Sequence, residues 1–160
     1  MVVASLRREA EAGGPAAALM LPDGRIVTGR TSDLMGCASA LLLNTLKELA
    51  GINREMDLIS QQVITPICSL KTDNLGSKNP KLHSDEVLLA LCVSAVTNPV
   101  AALAMKQLDK LRGCDAHFSV IPSSVDEKLY RKLGIDVSCE PRYEETRLYH
   151  KLPERCLTKV

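Results

Sequence analysis

Residues 116–139 read AHFSVIPSSVDEKLYRKLGIDVSC, and this stretch decides the fold class. Ala116–Ile121 and Ile135–Cys139 are short runs rich in β-branched and aromatic residues, which favour strands. Between them, Ser124–Leu133 has helical character. Ser124-Val125-Asp126-Glu127 has the form of a capping box, and Gly134 supplies a stop. One helix linking two short strands implies parallel neighbours joined by a right-handed crossover. The chain therefore reads as α/β.

Upstream, residues 16–29, AAALMLPDGRIVTG, set two aliphatic runs around Pro22-Asp23-Gly24. That turn chemistry predicts a β-hairpin of Ala17–Leu21 and Arg25–Gly29. Residues 2–12 form a short helix ended by Gly13-Gly14-Pro15. After the polar segment RTSDLMG, the run CASALLLNTLKELAGI repeats Leu42, Leu46 and Leu49 at helical spacing, with Gly51 at its end. Ser60 heads a further helix that Pro66 should kink or shorten. Residues 71–82, KTDNLGSKNPKL, read as the longest loop within the domain. Ser84 opens SDEVLLALCVSAV, which is apolar on nearly every side and so is expected to be central. Asn98 as N-cap and Pro99 as first helical residue start another helix running to Gly113. These last two helices make a helical hairpin.

The chain has 160 residues, enough for one domain with a core, and 46% of them are hydrophobic. Net charge is +1, which gives no global field to draw the chain onto nucleic acid or an anionic membrane. The four aromatic residues are Phe118, Tyr130, Tyr143 and Tyr149, too few for base stacking. Cys37, Cys68, Cys92, Cys114, Cys139 and Cys156 form no CxxC pair and have no zinc-finger histidines, so they read as free thiols in a reducing cytosol. No metal is expected. The longest apolar stretch, Val87 to Val96, is about half a membrane span, and residues 1–14 lack a signal-peptide core. A cytoplasmic location is expected.

Several long phrases carry a family likeness: TGRTSDLMG (28–36), ALLLN (40–44), LAGI (49–52), LKTDNLGSKNPKLHSDEVLLAL (70–91), AVTNP (95–99), LRGCDAH (111–117) and SSVDEKLYRKLGI (123–135). Together they resemble the C-terminal region of a bacterial family, domain of unknown function 1846 (UPF0371), across roughly residues 16–142. The resemblance implies a larger protein, with a missing N-terminal region as the domain's own partner. The chain is expected to divide into an N-terminal helix or linker (1–15), an α/β domain (16–142) and, where the sequence turns to alternating charge, an extended charged tail (143–160). The resemblance also implies a three-layer α/β/α sandwich similar to the cytidine-deaminase-like fold, without its zinc site. A zinc deaminase needs His or Cys, then Glu two residues on, and later Pro-Cys-x-x-Cys. Here Cys37-Ala38-Ser39 puts Ser where Glu belongs, and no PCxxC follows.

Two polar stretches are the main candidates for chemistry. Thr31, Ser32 and Asp33 lie between a strand end and a helix start, where backbone N–H groups attract anions; the plainer role is helix capping. Lys71, Asn74, Lys78 and Asn79 supply charge and hydrogen-bonding groups in the long loop. His83 titrates near neutrality beside Ser84 and Asp85, and is the candidate proton donor. The plainer role for this loop is a solvated surface. Asn98 is a third candidate, with capping as the favoured role. Cys114 and His117 are expected to point to opposite faces of a strand, which argues against a joint catalytic role. No GxGxxG, Walker-A, GxSxG or HExxH pattern occurs, so no cofactor is indicated. The reading is a domain that binds an anionic small molecule and contributes part of an active site, provided residues 31–36 and 71–85 meet. The alternative is a non-catalytic structural module that forms a homo-oligomer.

Overall fold

The computed structural model describes residues 1–144. Four strands form one mixed sheet: β1 (Ala16–Met20), β2 (Ile26–Arg30), β3 (Asp115–Phe118) and β4 (Asp136–Cys139), in the order β2-β1-β3-β4. The β1–β2 hairpin closes as its turn residues predict. Gly24 adopts φ 90°, its N–H donates to Leu21 O, and the Leu21 N–H donates to Arg25 O. β1 runs antiparallel to both of its neighbours, while β3 and β4 are parallel and joined by helix α6 (Ser124–Lys132). The crossover expected from residues 116–139 is therefore present.

The register sorts side chains between the two faces. Ala17 pairs with Gly29 and Phe118, and Leu19 pairs with Val27 and Ala116, which gives one apolar face. Helix α2 (Cys37–Ala50) packs there, and so closely that a Cβ on Gly29 would lie 2.6 Å from Leu41 Cα. On the same side, Tyr130 of α6 meets Phe118 edge-on, with ring centroids 5.3 Å apart. The opposite face carries Ala18 and His117, and helix α1 (Val2–Ala12) lies across β1, β2 and β3. Both central strands are buried, which is why β1 is almost wholly Ala and Leu.

Helices α4 (Ser84–Ser94) and α5 (Pro99–Met105) form the expected hairpin, with Asn98 Oδ1 accepting from the Val100 and Ala101 N–H groups. Several sequence expectations are corrected here. The α6 cap is Ser123, not Ser124: its Oγ accepts from the Asp126 N–H at 3.2 Å. α5 stops at Met105, and Leu108–Leu111 is a separate 3-10 turn. Pro66 sits inside α3 (Gln61–Ser69) without ending it, and the chain then widens into a π-helical turn, Leu70–Asn74, where a loop was expected. α4 is not wholly central, because its outer side is open to solvent. Of the charged tail expected from residue 143, only Tyr143 and Glu144 are among the described residues; the rest, with Tyr149 and Cys156, lies outside them. Among the described residues no helix is long and apolar enough to cross a membrane.

The Gly29 contact gives a direct test. Gly29→Ala should destabilise the domain by about 3 kcal/mol or more, because backbone atoms of α2 cannot yield. Gly14→Ala, where an added Cβ meets nothing within 4 Å, should stay within about 0.5 kcal/mol of the parent. Urea midpoints at constant slope measure both.

Candidate functional site

The two polar stretches run side by side. Met35 and Leu82 form a parallel β-bridge, the Leu82 N–H donates to Leu34 O at 3.0 Å, and the Gly36 N–H donates to Leu82 O at 3.3 Å. Ser39 Oγ, buried in the first turn of α2, donates to the same Leu82 carbonyl at 2.8 Å. The start of α2 is thereby fixed beside the segment that enters α4. Helix α6 joins them at two points. Tyr130, fully buried, donates its hydroxyl to Ala38 O at 2.6 Å. Asp126 Oδ1 accepts from the Ser84 N–H at 2.9 Å and from Ser84 Oγ at 2.6 Å, while its Oδ2 accepts from Ser123 Oγ at 3.0 Å. The amino ends of α2, α4 and α6 therefore converge.

A cleft of about 330 Å³ opens at this junction. Its polar lining includes Thr31, Lys81, His83, Ser123 and Asp126, and its floor includes Cys37 and Phe118. His83 Nδ1 lies 3.9 Å from Asp126 Oδ2, an ion-pair distance longer than a formed hydrogen bond. The Asp126 carboxylate is the main influence on His83, and it raises the imidazole pKa above the ordinary value of 6.5 against the opposing effect of burial. Burial alone would raise the Asp126 carboxyl, but its contacts with His83, Ser84 and Ser123 outweigh that and hold it below 3.8. Burial pushes the Cys37 thiol up to about 12, so it is not a thiolate nucleophile near neutrality.

Of the residues singled out in the sequence, Thr31, Asn79 and His83 line the cleft. Thr31 Oγ1 is also engaged structurally, accepting from the Cys37 N–H at 3.1 Å. Ser32, Asp33, Lys71, Asn74, Lys78, Asp85 and Asn98 are not in its lining. Lys71 is buried, and its Nζ donates to Lys81 O at 2.6 Å and Glu86 Oε1 at 2.8 Å, so it shapes the loop that carries Lys81. Asp85 Oδ1 accepts from the Glu86 N–H, and Asn98 caps α5. Lys78 is exposed. His117 lies on the α1 face of the sheet, where its ring nitrogens meet Ser138 Oγ at 2.7 Å and Glu140 Oε2 at 3.1 Å.

Sequence reasoning missed Ser123 and Asp126. Their spacing was legible only as a local cap, whereas the bond from Ser84 to Asp126 spans 42 residues. Among the described residues no three His, Cys, Asp or Glu side chains gather as a metal site.

The cluster predicts a bounded pH range of stability. His83 has a raised pKa in the folded state, so its contribution is fully present below about pH 6.5 and lost as pH rises through the folded value. Asp126 has a lowered pKa, so its contribution is present above 3.8 and lost as pH falls through the folded value. Asp126→Ala should cost about 3 kcal/mol, because it strands the buried Ser84 donors. His83→Gln should flatten the alkaline limb and weaken the acid one without abolishing it, because Ser84 and Ser123 still hold the Asp126 carboxyl low. Urea unfolding from pH 3 to pH 9 checks all three outcomes.

The comparisons with known proteins agree with one another. The profile described as "Domain of unknown function DUF1846, C-terminal" matches residues 1–149. A UPF0371 protein of Corynebacterium efficiens is 54% identical over 151 residues, which cover 94% of this chain and 30% of that relative. UPF0371 proteins of Corynebacterium glutamicum and Streptococcus thermophilus are 52% and 48% identical, with 30% and 31% of their lengths covered. The matched stretch thus spans under a third of these relatives. With the fold and the converging helix starts described, the chain belongs to the DUF1846 family and corresponds to its C-terminal domain.

Proposed function

We propose that this domain binds a small molecule bearing a phosphate or carboxylate group and contributes part of an active site within a longer protein. The observation that carries the reading is the convergence of the amino ends of α2, α4 and α6 on one cleft that also holds Lys81 and a readily protonated His83. First-turn amides of a helix have no intrahelical acceptor and carry the positive end of the helix dipole. At α4 the Ser84 amide is already taken by Asp126. The first turns of α2, at Ala38 and Ser39, and of α6, at Ser124 and Val125, offer further amides for an anion. Lys81 adds a full charge. His83, whose protonated form Asp126 favours, is the group suited to give a proton to a leaving or developing anion.

The hairpin, the helix after it, the later βαβ crossover and the helices on both faces support a three-layer α/β/α reading related to the cytidine-deaminase-like fold. Pro122-Ser123-Ser124-Val125-Asp126 has the spacing of a deaminase Pro-Cys-x-x-Cys at a helix start, with Ser and Asp in place of thiolates. That donor set suits proton and hydrogen-bond chemistry better than zinc.

A second reading, a non-catalytic structural or oligomerisation module, draws support from Asp126. The carboxylate is engaged by Ser84, Ser123 and His83, as a purely structural tie would be. Residues 99–112 offer little apolar surface for self-association, with Leu103 their large exposed hydrophobic residue.

Calorimetric titration with inorganic phosphate, pyrophosphate and a phosphorylated sugar separates the readings. The ligand reading expects binding that weakens with ionic strength and falls about tenfold or more in Lys81→Ala and in His83→Gln. A probe at a hundred times its dissociation constant should add about 2.7 kcal/mol of stability. Absence of millimolar binding, or binding that both variants leave intact, favours the structural module.

A further inference from the structure

The outer side of α4 is apolar where a surface helix is normally polar. Leu89, Val93 and Val96 are 69%, 68% and 82% exposed, and Cys92 is exposed between them. Leu89, Cys92 and Val93 share one stripe of α4, and Val96 follows in the turn just past its end. Beside it, Val63 and Ile67 of α3 wall an apolar groove of about 300 Å³ with Leu89 and Val93. Its one charged lining residue, Glu86, is turned to structural use, with Oε1 accepting from Lys71 Nζ and from the His83 N–H. A helix apolar on all sides belongs in an interior. Here the domain buries only the side formed by Val87, Ala90 and Leu91.

We propose that this groove receives an apolar segment of the polypeptide that precedes the domain in the longer protein. Two arguments select that occupant over a second copy of the chain. The C-terminal family profile and the 30% coverage of the relatives set more than two thirds of their length outside this domain. The stripe, taken on to Val96, is about 10 Å long at 1.5 Å per residue. The patch rests on a few exposed apolar side chains, whereas a stable dimer buries roughly 800 Å² per partner. A covalently attached segment needs no such area, because tethering supplies a high effective concentration.

Cys92 on the stripe serves as a built-in probe. Maleimide labelling is measured for this chain alone and for the chain fused behind the N-terminal portion of the Corynebacterium efficiens relative. The proposal expects rapid labelling of Cys92 in the chain alone and at least tenfold protection in the fusion. Leu89→Asp should restore labelling in the fusion while buried Cys37 stays unlabelled. Equal labelling rates in the two forms overturn the proposal. So does protection of the chain alone that grows with its concentration, which would mark a second copy as the occupant. Should the fusion not fold, oxidative footprinting of the intact relative decides the matter. Reactivity of the helix matching α4 at the level of open surface overturns the proposal, and protection supports it.

Discussion

The Asp126 carboxylate ties the starts of α4 and α6 together. It takes the backbone and hydroxyl donors of Ser84, it is bridged to its own helix start by Ser123, and it faces His83 across 3.9 Å. A buried carboxylate is stable only when its lone pairs are met by donors or charge. That requirement fixes α6 against α4, while the Tyr130–Ala38 bond fixes α6 against α2. The sheet supplies the base beneath, with Phe118 against Tyr130 and Gly29 against Leu41. The cleft is what remains open above these contacts.

Charge in the cleft follows from the same arrangement. Asp126 offsets the helix dipole at α4 and favours the protonated form of His83 beside it. Lys81 is presented by a loop held from behind by the buried Lys71 ammonium, which bonds the Lys81 carbonyl. The cation count of the loop therefore overstates what faces the cleft. Lys71 is spent on structure, Lys78 is exposed away from the lining, and Lys81 lines the cleft.

Much of the fold was legible because it rests on local rules. The hairpin follows from Pro22-Asp23-Gly24, the α5 cap from Asn98-Pro99, and the parallel pair from a single helix between two short strands. The juxtaposition of residues 31–36 with Leu82 was legible only as a condition, since a bridge across 47 positions leaves no periodicity in the chain. Asp126 was hidden for a related reason. Its spacing from Ser123 satisfies a helix cap, and nothing local shows that its other oxygen reaches Ser84. The apolar run of α4 reads as central, but the domain buries one side of it and leaves Leu89 and Val93 open. The π-helical turn at Leu70–Asn74 carries no sequence signal that we can identify.

The account stands or falls on the coupling between Asp126 and His83 within the cleft for which we propose an anionic ligand. Proton-carbon NMR of the His83 imidazole, followed through a pH titration with and without phosphate, measures it directly. The account predicts a midpoint above the ordinary histidine value in the parent protein, a further rise when phosphate is added, and a fall to the ordinary range or below in Asp126→Asn. A parent midpoint at or below 6.5 that ignores both phosphate and the substitution would contradict it.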